Sequence, residues 1–187
     1  MEQNISRWSD SYFENMSEFD AIEIGALDGL TTQYLSSFFR RVFVIDPWDD
    51  RQQGEPSKYE IFLNNTKNLT NVFHCRTGSE TIEAKNFLDE IEDPNFGFAF
   101  IDGLHTKEAV INDFNLCKNR IKTGGLIFID DCDFNPVNLG AEYVKNESLG
   151  EYTEDAYSRR SLSVWNESDT YLRIFKKNKI SNCEPIN

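Results

Sequence analysis

Between Phe98 and Asp133 the chain reads FAFIDGLHTKEAVINDFNLCKNRIKTGGLIFIDDCD, and this stretch restricts the possible folds more than any other. Two short apolar runs, Phe98–Ile101 and Leu126–Ile129, each stop at carboxylates: Asp102 after the first, Asp130 and Asp131 after the second. Between them Val110, Phe114, Cys117 and Ile121 fall at helical spacing, and Thr123-Gly124-Gly125 supplies a stop. A four-residue apolar run that ends in an acid and feeds a helix reads as a buried parallel strand. The loop after such a strand lies at the edge where open α/β sheets bind ligands. Asp102, Asp130, Asp131 and His105, one of only two histidines, are therefore expected to converge on one sheet edge.

The same grammar recurs along the chain. Ala21–Ile24 is an apolar run interrupted by Glu23, and glycines follow it at a tight turn; Val42–Ile45 stops at Asp46, and Val72–Cys75 makes a further strand. Helical patterns lie between them, carried by Leu35, Phe38 and Phe39, by Tyr59, Phe62 and Leu63, and by Ile82, Phe87, Leu88 and Ile91. Past the fifth strand the spacing predicts a helix around Ala141–Lys145. Leu162–Trp165 and Tyr171–Phe175, joined by Asn166–Thr170, then read as an antiparallel hairpin. Residues 1–19 are expected to be a helical extension and residues 178–187 a frayed tail. Together these make one α/β domain over residues 1–187: a doubly wound, mostly parallel sheet closed by a C-terminal antiparallel hairpin.

Composition narrows the partners. A formal net charge of −13 disfavours nucleic acid and anionic membrane, both of which need a positive surface. The cysteines Cys75, Cys117, Cys132 and Cys183 show no CxxC spacing, and MEQNISRWSD has neither a basic start nor an apolar run. Free thiols and a cytoplasmic location are expected on that basis. No apolar stretch approaches the length of a membrane span.

The turn Gly25-Ala26-Leu27-Asp28-Gly29 invites comparison with the dinucleotide fingerprint, whose second glycine lets the backbone approach a pyrophosphate. Leu27 stands at that position and disfavours a phosphate there, whereas an adenosine ligand without phosphates has no such need. Asp46, at the end of the second strand, is placed to accept hydrogen bonds from ribose hydroxyls. Glu23 is too costly to bury without a partner, which a ligand ammonium or backbone N–H groups of the turn could supply. Structural roles stay open for each: turn formation for Gly25, Gly29 and Asp46, and a helix N-cap for Thr31.

Glu23-Ile24-Gly25-Ala26-Leu27-Asp28-Gly29-Leu30-Thr31 resembles the first motif of class I S-adenosylmethionine-dependent methyltransferases. More closely, residues 20–133 resemble the small metal-dependent O-methyltransferases of the macrocin, or antibiotic-sugar, type, and more distantly the catechol type. The resemblance implies a Rossmann-like methyltransferase sheet. It implies that Glu23, Gly25, Ala26 and Gly29 hold the methionine part of the cofactor with help from Thr31, that Asp46 binds the ribose, and that Asp102 also borders the cofactor. Ser79, in Thr77-Gly78-Ser79-Glu80, matches the adenine-side position.

Three like charges at one edge repel, and a hard divalent cation, Mg²⁺ before others, removes that repulsion. The resemblance gives Asp102, Asp130 and Asp131 as its ligands and His105 as the base that takes the acceptor's proton. The expected function is S-adenosylmethionine-dependent, metal-assisted O-methylation of a sugar or similar polar small molecule. A metal-independent N- or carboxyl-methyltransferase, or a non-catalytic cofactor-binding module, is the alternative. A homo-oligomer is compatible with the sequence. His74 reads as a packed core residue, Asp113 as a solvent or capping acid, and the tyrosines and arginines of Glu151–Arg160 as candidate pocket lining.

Overall fold

Five apolar runs become five parallel strands. In the computed structural model, which describes residues 10–49, 57–148, 150–158 and 171–179, these are β1 (Asp20–Ile24), β2 (Arg41–Ile45), β3 (Val72–Cys75), β4 (Phe96–Ile101) and β5 (Leu126–Ile129). Helices α1 (Asp10–Phe13), α2 (Leu30–Ser36), α3 (Lys58–Thr66), α4 (Ile82–Asp89), α5 (Lys107–Lys118) and α6 (Asn135–Glu147) alternate with them, and β6 (Tyr152–Ser158) and β7 (Leu172–Lys177) finish the sheet. The strand order is β3-β2-β1-β4-β5-β7-β6, with β7 antiparallel to both of its neighbours. The chain leaves β1 outward to β2 and β3 and then returns to β4 on the other side. That reversal puts the topological switch point at the carboxyl ends of β1 and β4, where Gly25 and Asp102 sit.

Both faces of the sheet are covered, which explains why the strands read as continuous apolar runs. Alternate side chains serve opposite layers. Ile22, Ile24, Ile101 and Ile129 join Ala84, Leu88, Val110, Phe114 and Val137 of α4, α5 and α6. Ala21, Val44, Phe98, Phe100 and Phe128 join Leu35 of α2, Phe62 of α3 and Phe13 of α1. Phe13 packs edge-on to Phe98 and Phe39 with ring centroids 5.0 and 5.3 Å away. Residues 1–9 of the expected helical extension and 180–187 of the expected tail lie outside the described residues. Side-chain caps start three helices: Ser57 in a capping box with Glu60, Thr81 on Ala84, and Thr106 on Ala109.

At the end of the sheet away from the loops that follow the strands, Asp20 is fully buried and hydrogen-bonded by Arg40, Arg41 and the Asn95 N–H. Burial alone would raise its pKa, but the two guanidinium groups pull it down to about 2.

The C-terminal hairpin differs from the sequence expectation. Its first arm is Tyr152–Ser158, which pairs with β7, whereas Leu162–Trp165 lies outside the described residues. The polar pattern YTEDAYS suits an edge strand with one wet face, and it offers no apolar run to read. Helix α6 is also longer than its apolar signal, because Pro136 is tolerated in the first turn. Among the described residues no helix is long and apolar enough to cross a membrane, and Cys75, Cys117 and Cys132 are free thiols.

Candidate functional site

The loops at the carboxyl ends of β1 to β5 enclose an open cleft of about 1280 Å³, lined by the β1–α2 turn, Asp46, Gly78-Ser79-Glu80, Asp102–His105, Asp130 and Asp131. The turn is shaped by a close approach. Gly25 has φ +83°, and a Cβ there would lie 2.0 Å from the Asp102 carbonyl oxygen, so no side chain fits. Leu27, at φ 48°, completes the bend and is half exposed. Gly29, not Thr31, is the N-cap of α2, and Thr31 lines the cleft instead.

Asp46 fastens this turn to the β2–α3 loop. One of its carboxylate oxygens accepts from Ala26 N–H at 2.8 Å and Leu27 N–H at 3.0 Å, and the other accepts from Trp48 N–H at 2.6 Å. The Trp48 indole N–H donates to the Leu27 carbonyl at 2.7 Å, and its buried ring packs on Phe62 and Tyr59. A carboxylate offers about four lone-pair sites, so Asp46 retains capacity for a hydroxyl of a bound molecule.

Glu23 is wholly buried beneath the turn. Thr32 Oγ1 donates to one oxygen at 2.6 Å, and the other, Oε1, has no hydrogen-bond partner among the described residues. Burial pushes its pKa up to about 8, against the Thr32 hydrogen bond and with help from the charges of Asp102 and Asp46.

At the other end of the cleft, His105 Nε2 stands 3.0 Å from Asp131 Oδ2 and 3.7 Å from Asp102 Oδ1. One ligand atom from each of Asp102, His105 and Asp131 lies within 4.8 Å of the other two. Asp102 and Asp131 push the His105 pKa up to about 10, so the imidazole carries a proton at neutral pH. Burial and the Asp131 charge raise Asp102, while His105 opposes them. Asp131 has φ 52°, and its N–H donates to Asp130 Oδ1 at 2.9 Å. Of the three acids expected as metal ligands, two thus meet with His105, while Asp130 is buried against the turn between them and still borders the cleft.

Asp113 is the residue the sequence reading misplaced. It is 1% exposed, on the inward phase of α5 with Val110, Phe114 and Cys117, and it accepts a short hydrogen bond from Ser79. An acid in register with an apolar helix face was the available signal. His74 is half-buried, hydrogen-bonded to Tyr59 Oη at 2.9 Å and packed on Trp48 and Phe62. Of the tyrosines and arginines of Glu151–Arg160 considered as pocket lining, Tyr152 is buried away from the cleft with its hydroxyl donated to the Lys118 carbonyl, and the side chains of Tyr157, Arg159 and Arg160 lie outside the described residues.

The residues fit the groups that the motif resemblance implies. The unpartnered Glu23 Oε1 and the side-chain-free Gly25 approach suit a cationic, non-phosphate ligand beside the turn. The neighbouring carboxylates of Asp102 and Asp131 suit a hard divalent cation.

Comparison with known proteins gives the family and the fold. Residues 22–132 match the family model described as a methyltransferase domain. An uncharacterised protein of Acanthamoeba polyphaga mimivirus is 33% identical over 113 residues, 59% of this chain and 50% of that protein. The chain thus spans about half the length of the curated relative it matches. An rRNA methylase of Streptococcus thermophilus superposes with TM-score 0.66 at 15% identity, covering 91% of this chain and 95% of its own. The N-methyltransferase NodS of Bradyrhizobium japonicum, solved with S-adenosyl-L-homocysteine, gives 0.58 at 16% identity, covering 90% and 85%. Identities this low show the fold, while the family match spans more than half of the sequence. The chain belongs to the methyltransferase-domain family.

Proposed function

We propose that this chain methylates a hydroxyl of a neutral, polar small molecule, a sugar or a similar polyol, with the help of a divalent cation. The observation that carries the reading is the meeting of Asp102, His105 and Asp131 at the rim of the cleft that the glycine turn opens. When bound, S-adenosylmethionine supplies an electrophilic methyl and the cation a Lewis acid that favours the deprotonated hydroxyl.

The chain's own residues do the rest. Glu23, Gly25, Ala26, Gly29 and Thr31 hold the amino-acid end of the cofactor, Asp46 the ribose, Ser79 the adenine side, and Asp102 borders both cofactor and metal. Asp102 and Asp131, with Asp130 shaping their turn, would hold the cation. His105 keeps its proton while the imidazolium alone neutralises the acid pair. The neutral imidazole that can take the acceptor's proton belongs to the cation-loaded site. A positioned base contributes about 10²–10⁴-fold, and fixing donor and acceptor in line adds to that.

The rim is acidic. Asp28, Asp46, Asp49, Glu80, Asp102, Asp130 and Asp131 face the cleft against Lys58 and His105. A phosphate-bearing acceptor would meet repulsion there, which argues for a neutral one and against nucleic acid.

The test is methyl transfer from S-adenosylmethionine to a panel of hydroxyl and amine acceptors, before and after chelation. Hydroxyl methylation that stops on chelation, returns with Mg²⁺ or Mn²⁺ and is lost in Asp102→Asn is expected. Amine methylation that survives chelation would replace this reading with the metal-independent one.

A further inference from the structure

The two acids that follow β5 are adjacent in sequence and differently employed. Among the described residues, Asp130 does not join the group in which ligand atoms of Asp102, His105 and Asp131 lie within 4.8 Å of one another. It is 3% exposed, and its Oδ1 accepts the Asp131 N–H at 2.9 Å. Neighbouring N–H groups of the turn go to backbone carbonyls instead. Asp130 N–H donates to Ile101 at 3.0 Å, Cys132 N–H to Tyr171 at 2.7 Å and Phe134 N–H to Asp131 at 2.9 Å. The peptides on both sides of Asp131 are thus pinned, one by the Asp130 side chain and the other by the Phe134 N–H. Between them Asp131 has φ 52°, a left-handed conformation that costs free energy in a residue with a Cβ. In that conformation its Oδ2 stands 3.0 Å from His105 Nε2.

From this arrangement we propose that Asp130 is a positioning residue and not a cation ligand. Its oxygen pins the peptide between the two acids and so keeps the Asp131 carboxylate turned toward His105 and Asp102. Without that acceptor the strain at Asp131 is released by a change of conformation that takes its carboxylate off the histidine. The proposal rests on the cation reading for what the aimed carboxylate does, whereas the aiming belongs to the chain without a cation. Position 130 then requires an acceptor oxygen at this reach and no charge. Asparagine supplies one and alanine does not.

The experiment uses His105 as the reporter of that aim. Its imidazole resonances are followed by NMR against pH in the cation-free full chain and in its Asp130→Asn, Asp130→Ala and Asp131→Asn variants. His74, the other of the chain's two histidines, is the internal control. Loss of a carboxylate at contact distance should lower the His105 midpoint in Asp131→Asn by about one unit or more. Asp130→Ala should reproduce most of that fall, and Asp130→Asn should stay about one unit above Asp130→Ala. Both replacements are neutral, so the gap between them measures the acceptor and not the charge. Coincident His105 midpoints in Asp130→Asn and Asp130→Ala overturn the proposal. If Asp130→Ala does not fold, exchange of the Asp131 amide proton in the wild type decides. It should be about tenfold or more slower than in a free loop, and an unprotected amide overturns the proposal. Calorimetric titration with Mn²⁺ separates this proposal from the functional reading. A wild type that binds no Mn²⁺ overturns the cation reading and leaves the His105 comparison to decide the positioning role.

Discussion

Glu23→Gln probes a buried carboxyl that folding keeps protonated. Glu23 is wholly buried under the glycine turn with one oxygen bonded to Thr32 and the other unpartnered, and its pKa rises from 4.5 to about 8. Between those two values the folded chain holds a proton that the unfolded chain has released. Stability therefore falls as pH rises through that window, at up to ~1.4 kcal/mol per pH unit. Across the whole interval the loss reaches about 5 kcal/mol, a large share of the 5–15 kcal/mol typical of a domain. Glutamine keeps the shape and cannot ionise. Urea denaturation of the ligand-free chain from pH 5 to 8 should show the variant and wild type within about 1 kcal/mol of each other at pH 5. By pH 8 the variant should be several kcal/mol more stable. Subtracting the two curves removes the contributions of Asp102, Asp113 and His105, which both proteins share. Saturating S-adenosylhomocysteine should shrink the difference, because a ligand ammonium near Oε1 favours the ionised carboxyl. Parallel wild-type and variant curves from pH 5 to 8 would refute the reasoning.

Asp20→Asn should cost about 2 kcal/mol at pH 7, since its depressed pKa contributes stability that is present above pH 4 and lost as pH falls through about 2. By differential scanning calorimetry that is a melting shift of roughly 4–8 °C for a chain of this size. Gly25→Ala drives a methyl into the Asp102 carbonyl and should abolish S-adenosylhomocysteine binding by calorimetry while circular dichroism still shows a folded sheet. Trp48→Phe loses the indole donor to Leu27 and should weaken cofactor binding about fivefold, a loss of about 1 kcal/mol. His105→Ala should lower turnover about 10²–10⁴-fold with cofactor affinity little changed, measured by initial rates and calorimetry.

What could be read ahead of the structure was whatever has a period or a punctuation mark. The buried strands β1, β2, β4 and β5 are apolar runs ended by glycine or acid, and that is why Asp46, Asp102, Asp130 and Asp131 could be placed at one edge from order alone. Strand β6 is illegible in the sequence because YTEDAYS has no sustained apolar face, and the more apolar Leu162–Trp165 reads as the hairpin arm in its place. Within the site, linear spacing reports which loop a residue occupies and not which way it turns. Asp130 and Asp131 are adjacent, yet the positive φ at Asp131 sends one to the histidine and the other back to its neighbour's N–H. Asp113 escapes the sequence for a related reason: its partner Ser79 is 34 residues away, on the β3–α4 loop that packs against α5. The Asp46–Trp48 clasp on the turn belongs to the same class of long-range contact.

The antiparallel insertion of β7 has a consequence for how such a scaffold can diversify. Strand β7 begins with Leu172 and Arg173, paired to Ser158 and Tyr157 of β6, and Arg173 lies beside Ile129 of β5, one residue before the acid pair. Both ends of the connection from β6 to β7 are therefore moored beside the acid pair, with Tyr171 hydrogen-bonded to Asp133 and Cys132. Loop-closure entropy grows slowly with length, so substitutions or insertions within residues 159–170 are expected to leave the β5–β7 and β6–β7 ladders in place. An engineer who wants to vary the surroundings of the acid pair without disturbing the sheet can therefore begin with residues 159–170, because both of their anchors end beside it.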